Sequence, residues 1–234
     1  MNESRYESRT LGGMLAAFLD GGTGLEQPWA ERLVRDAHAT LARRFPELSE
    51  YRIHVIVDGQ LSRNAATAAG AHIFIGHRLL ELCANVERTA FVLAHEIAHH
   101  ACGHIRPTPS WIVRTGSPTL AFLWQAWCNI GMLGRGHARL ESEADACAID
   151  MCIAAGLNAE KCLEALQVLE KLTLDRGGCA YGDEAFYASG MDERERTRRI
   201  RRHTSWALYY PVRVRRRLAE YHAGLITELD VYLH

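Results

Sequence analysis

The strongest constraint on this 234-residue chain is the string VLAHEIAHHACGH at residues 92–104. It sits in a stretch from Glu87 to about Cys102 whose apolar residues Val92, Leu93 and Ile97 recur at helical spacing, with Gly103 as a natural terminator. Two imidazoles and a carboxylate are thus carried mid-helix on an element whose other face asks for burial. Buried polar groups need partners, so the fold has to supply matching groups from elsewhere in the chain. His95 and His99 are four apart and project from one helix face about a turn apart, where both rings can reach one cation. Glu96 lies between them and can take a proton from a water activated by that cation. This is the H-E-x-x-H arrangement, in which each residue type has a chemical reason.

A hydrolytic zinc site takes a third protein ligand and keeps one position open. The best candidate is in RLESEADACA, residues 139–148. Glu141 and Asp145 share a face of the helix expected from His137 to about Ala155. Glu141 can ligate the metal, and Asp145 can accept a hydrogen bond from the distal nitrogen of a ligand histidine, fixing its tautomer. Glu143 points well away from that pair. His100 and His104 are further candidates, with a surface residue and a partner of the helix C-terminal dipole as their plainer readings. Cys179 in its loop could act as a latency ligand, but nothing in its spacing supports that role.

Twelve histidines are many for a chain of this length, and histidine is the commonest metal ligand. With Lys and Arg at 27 against 28 Asp and Glu, the net charge of −1 gives no reason to expect nucleic acid as a partner. Seven cysteines form no metal-type C-x-x-C pair and sit mainly in apolar stretches, which favours a reducing compartment and a cytoplasmic location. The run Leu11–Leu19 is preceded by acidic residues and lacks an A-x-A cleavage site, so a cleaved signal is not expected.

Residues 1–27 read as a flexible N-terminal segment and 28–234 as one domain. A helix is expected from Pro28 to about Phe45, a strand at Tyr51–Val57, a turn at Asp58-Gly59, a small and polar stretch over 60–70, a strand at Ala71–Gly76 and a short helix at Arg78–Cys83. Asn158 is placed to cap a further helix running to about Leu174. Thr115–Gly134 carries no charge for twenty positions but is too polar for a membrane span, so Leu120–Met132 reads as a buried or groove-covering helix, with membrane contact a lesser alternative. Residues 175–191 read as loop, and two basic helices follow at Asp192–His203 and Tyr210–Leu225. Their arginines alternate with Glu193 and Glu195, as on a solvated helix face. The expected class is α+β, mostly helical, with a small sheet beside the metal-bearing helix.

These residues resemble the gluzincin peptidases of the HtpX heat-shock protease and CAAX prenyl protease type. The likeness begins at Asn64-Ala65-Ala66 with Gly70 and passes through Ile73-Phe74-Ile75 and Leu79-Leu80 into VLAHEIAHHACGH. It resumes at Arg139-Leu140-Glu141-x-Glu143-Ala144-Asp145 and continues through Ala154-Ala155-Gly156-Leu157 into Leu163–Leu172. It implies Zn²⁺ held by His95, His99 and Glu141, Glu96 as base, endopeptidase action on peptides or unfolded proteins, and Ala71–Gly76 as the edge strand along which substrate lies, through Ile73, Phe74 and Ile75. Members commonly carry a Thr-His-Pro segment after the Glu-bearing helix. The corresponding place here reads Ala188-Ser189-Gly190-Met191, with neither His nor Pro. That departure leaves open a rival reading, a zinc-binding relative that acts as a regulatory or binding module.

Overall fold

The computed structural model describes residues 27–57, 60–68, 71–105, 109–117, 119–120, 123–124 and 137–174. The expectations for the N-terminal segment, the Asp58-Gly59 turn, most of Leu120–Met132, Cys179, and everything from 175 onward, including the Ala188–Met191 segment, lie outside the described residues.

Helix α1 spans Pro28–Ala42, with Pro28 in the first turn, where its missing N–H costs nothing. It buries Ala30, Val34, Ala37 and Leu41. A 3₁₀ turn at Pro46–Glu50 leads into strand β1, Arg52–Ile56. A second 3₁₀ turn at Gln60–Arg63 precedes β2, Ala65–Ala68, and β3, His72–Gly76. Helix α2 follows at His77–Cys83, α3 at Val86–Ala101, α4 at Ser110–Thr115, α5 at His137–Ala154 and α6 at Ala159–Leu174. Asn158 Oδ1 accepts from the Lys161 N–H at 3.1 Å, capping α6. The architecture is α+β and mostly helical.

The sheet order is β1-β3-β2, with β1 parallel and β2 antiparallel to β3. This corrects the expectation of an edge strand at Ala71–Gly76. β3 is the central strand, paired on both sides, and all five of its residues are buried. Ile73, Phe74 and Ile75 are enclosed in the core and cannot offer an edge to a peptide. The edge beside them is β2, within the small and polar stretch over 60–70 for which no strand was expected. Its Ala-Ala-Thr-Ala sequence carries one β-branched side chain, Thr67, and no aromatic one, a weak mark for a strand.

Helix α3 is the centre of the molecule and packs against α1, α5 and α6 as well as β2 and β3. Every residue from Thr89 to Ala98 is buried. A helix enclosed on all sides has no solvent face on which to place polar side chains, so His95 and Glu96 are core residues. The Asn85 side chain caps its start, accepting from the Arg88 N–H at 2.9 Å. Arg88 in turn pairs with Glu164 of α6.

Candidate metal centre

The end of α3 is set by one glycine. Gly103 takes φ +74, the left-handed conformation that glycine adopts without strain. The Gly103 N–H then reaches the His100 carbonyl at 3.0 Å, and the His104 N–H reaches the His99 carbonyl at 2.8 Å. These two bonds make a Schellman cap, which folds the residue after the glycine back over the last turn. His104 is thereby laid against His99, and their Nδ1 atoms are 3.0 Å apart.

Helix α5 crosses α3 so that Glu141 and Asp145 meet the histidines. Glu141 Oε2 is 3.2 Å from His95 Nε2 and its Oε1 is 3.6 Å from His99 Nε2. The two Nε2 atoms are 3.1 Å apart. Asp145 Oδ1 stands 3.0 Å from His95 Nδ1. Each ring therefore turns its Nδ1 toward a supporting group and its Nε2 toward the shared centre. Glu143 lies on another face of α5, its side chain 42% exposed.

Around a tetrahedral zinc with bonds of about 2.0–2.1 Å, neighbouring donor atoms stand roughly 3.3 Å apart. The three separations here, 3.1, 3.2 and 3.6 Å, bracket that value. The set is two neutral-capable imidazoles and a carboxylate, a combination suited to a borderline divalent cation. Glu141 is 4% exposed, and a carboxylate at that depth next to two rings is poorly placed without a positive charge among them.

The electrostatics divide the group. Burial works against a charge on His95, but hydrogen bonds and attraction from Asp145 and Glu141 together outweigh it and push its pKa up to about 10. For His99, burial dominates, Glu141 opposes it, and His95 and His104 add repulsion, bringing the pKa down to about 3. Glu96 is pushed up to about 7, chiefly by burial, with His95 pulling the other way and Glu141 adding to the rise. One proton on His95 is thus balanced by carboxylates, while His99 stays neutral.

One histidine expected at the surface is in the core. His100 is fully buried and not at the surface. The Thr67 hydroxyl donates to the His72 carbonyl at 3.1 Å and also hydrogen-bonds His100 Nε2. His100 therefore ties the edge strand β2 to α3, and it meets Tyr51 edge-on. His104 follows the helix end as expected and is buried there against His99. Gly103 was the available signal, since a Schellman glycine fixes where the next residue must go. Nothing local in the sequence marks His100.

A second group of potential ligands adjoins the first. One ligand atom each from Cys102, His104 and Glu143 lie within 4.8 Å of one another. Five free cysteines occur among the described residues, Cys83, Cys102, Cys147, Cys152 and Cys162. Among the described residues, no helix is long and apolar enough to cross a membrane.

Residues 24–204 match the family model described as peptidase family M48. A 55-residue stretch is 42% identical to the mitochondrial metalloendopeptidase OMA1 of Saccharomyces cerevisiae. That stretch covers 24% of this chain and 16% of the yeast protein, so the likeness spans about a sixth of that relative's length.

Proposed function

The chain belongs to peptidase family M48, a zinc metallopeptidase family, and from that premise we propose that it is a zinc-dependent endopeptidase. The observation that carries the reading is the convergence of His95 Nε2, His99 Nε2 and Glu141 at separations close to those of ligands around one zinc ion. In this reading those three side chains hold Zn²⁺, and Glu96 is the base.

Zn²⁺ held by those residues would supply Lewis acidity and lower the pKa of the attacking water. Glu96 takes a proton from that water on its carboxylate and hands it to the nitrogen of the leaving amine. Its burial supports this use, because desolvation disfavours the charged carboxylate and so favours taking up a proton. Asp145 holds the Nδ1–H of His95 and so aims its Nε2 at the centre. His104 takes the corresponding place beside His99.

The substrate strand moves from β3 to β2. Residues Ala65–Ala68 pair with β3 on one side, and their other edge has no strand partner among the described residues. An extended peptide can add to such an edge through backbone hydrogen bonds. The contact of Thr67 with His100 keeps that edge against the metal-bearing helix. The free thiols support a reducing, cytoplasmic setting.

Glu96→Gln keeps the shape of the side chain and removes its basicity. The variant should bind zinc and fold as the wild type does, while hydrolysis of an unfolded protein such as casein falls on the order of 100- to 10,000-fold. A variant that cleaves as fast as wild type removes Glu96 from the reaction. If wild type and variant are equally inert on several unfolded substrates, the non-catalytic zinc-binding reading takes over.

A further inference from the structure

The Schellman cap does more than place His104 beside His99. It also brings His104 next to Cys102, and α5 presents Glu143 to the same spot. Ligand atoms of the three lie within 4.8 Å of one another, and His104 Nε2 is 3.7 Å from Glu143 Oε2. The His104 side chain is 2% exposed, and its Nε2 is buried with no hydrogen-bond partner. An orphaned ring nitrogen at that depth is costly, and a ligand would satisfy it. Nδ1 of the same ring is already turned to His99, so Nε2 is the atom that faces Cys102 and Glu143. Donors around a tetrahedral zinc with one sulfur ligand stand about 3.3–3.6 Å apart, so small rotations of Cys102 and the half-buried Glu143 close the set. Cys102 is the sulfur that joins the group.

We propose that Cys102, His104 and Glu143 form a second binding site for a thiophilic divalent cation such as Zn²⁺, and that filling it weakens the hold of His99 on the first ion. The site stands on its own geometry, and the coupling rests on the reading of His95, His99 and Glu141 as metal ligands. The coupling follows from counting protons. A neutral imidazole that gives Nε2 to a metal carries its hydrogen on Nδ1. With both rings on metals, both Nδ1 atoms carry hydrogen and face each other 3.0 Å apart, so neither can accept. The second ion therefore breaks the hydrogen bond that orients His99. Loss of such a support typically weakens a metal site by about 10- to 100-fold.

Cobalt titration of metal-free protein, kept reduced with a non-chelating phosphine, tests this. Wild type should take two equivalents of Co²⁺, the weaker one bringing a near-ultraviolet thiolate-to-cobalt charge-transfer band. Cys102→Ser and Glu143→Gln should each bind one equivalent tightly, with the band abolished in the first and weakened in the second. Excess Zn²⁺ should lower hydrolysis by the wild type and leave Cys102→Ser unaffected. A wild type that binds one equivalent without the band, or a band that survives in Cys102→Ser, overturns the site. One equivalent with a band that Cys102→Ser abolishes supports the second site and overturns the reading of the first. Two bound equivalents with full hydrolysis overturn the coupling.

Discussion

His95 and His99 stand one turn apart on the same helix, yet the two sides of the centre are supported by different chemistry. On one side the Nδ1 of His95 meets Asp145, a carboxylate from α5, at 3.0 Å. On the other the Nδ1 of His99 meets His104, a ring from just beyond the helix end, also at 3.0 Å. A carboxylate only accepts, so it fixes the proton of His95 on Nδ1 and adds negative charge. An imidazole can donate or accept, so His104 fixes nothing until its own second nitrogen is satisfied. Burial acts on both rings, but the carboxylates reverse its effect for His95, up to about 10, and not for His99, down to about 3. The same spacing on one helix therefore yields one candidate ligand whose orientation is rigidly specified and one whose state depends on a neighbour.

Removing the supports one at a time is the most direct way to break this comparison. Asp145→Ala should weaken zinc binding at the first site about 10- to 100-fold, toward the upper end because a charged partner is lost. Competition with a chelator of known affinity measures it. His104→Ala should cost less, about 10-fold, since an imidazole, unlike a carboxylate, does not bring a fixed negative charge to the ligand ring. If the His104 variant loses as much affinity as the Asp145 variant, the two sides are equivalent and the distinction between them fails.

The same asymmetry governs what was legible in the sequence. The His95 side was legible because Glu141 and Asp145 share a helix face in the same four-residue spacing as the histidines, so two periodicities match. Helices α3 and α6 declared their ends through Gly103 and Asn158, whose roles are local. The His99 side was not legible, because the burial of His100 and His104 comes from the packing of β2 and α5, and no local pattern carries that. The exchange of β3 for β2 as the edge has the same origin. His72–Gly76 is apolar enough to be recognised as a strand, but alternation cannot distinguish an edge from a centre. β2 is written in alanines, and its pairing with β3 is a property of the assembled sheet.

Gly103 sharpens the comparison from the backbone. At φ +74 an alanine pays the steric penalty of the left-handed region, roughly 1–2 kcal/mol. Gly103→Ala should lower the stability of metal-free protein by about that amount, read by denaturant unfolding. The strain falls between Cys102 and His104, so cobalt binding through the thiolate should weaken, while the bond between His95 and Asp145 stays intact. A variant that loses stability with unchanged cobalt spectra would mean that the cap does not position His104.

The smallest effect belongs to the other end of the same helix. Asn85 caps α3 through the Arg88 N–H, about 15 Å along the axis from His95 at the usual rise per residue. Asn85→Ala should cost about 1 kcal/mol, a shift of about 2–4 °C in Tm for a chain of this size. Because His95, His99 and their supports are held by contacts made farther down α3, the first-site zinc affinity and the cobalt spectrum should not move. The variant thus gives Gly103→Ala its reference, a similar loss of stability with the centre undisturbed. Should Asn85→Ala weaken zinc binding as much as Gly103→Ala does, helix stability rather than the local geometry of the cap sets the affinity, and the contrast between the His95 and His99 sides would need another cause.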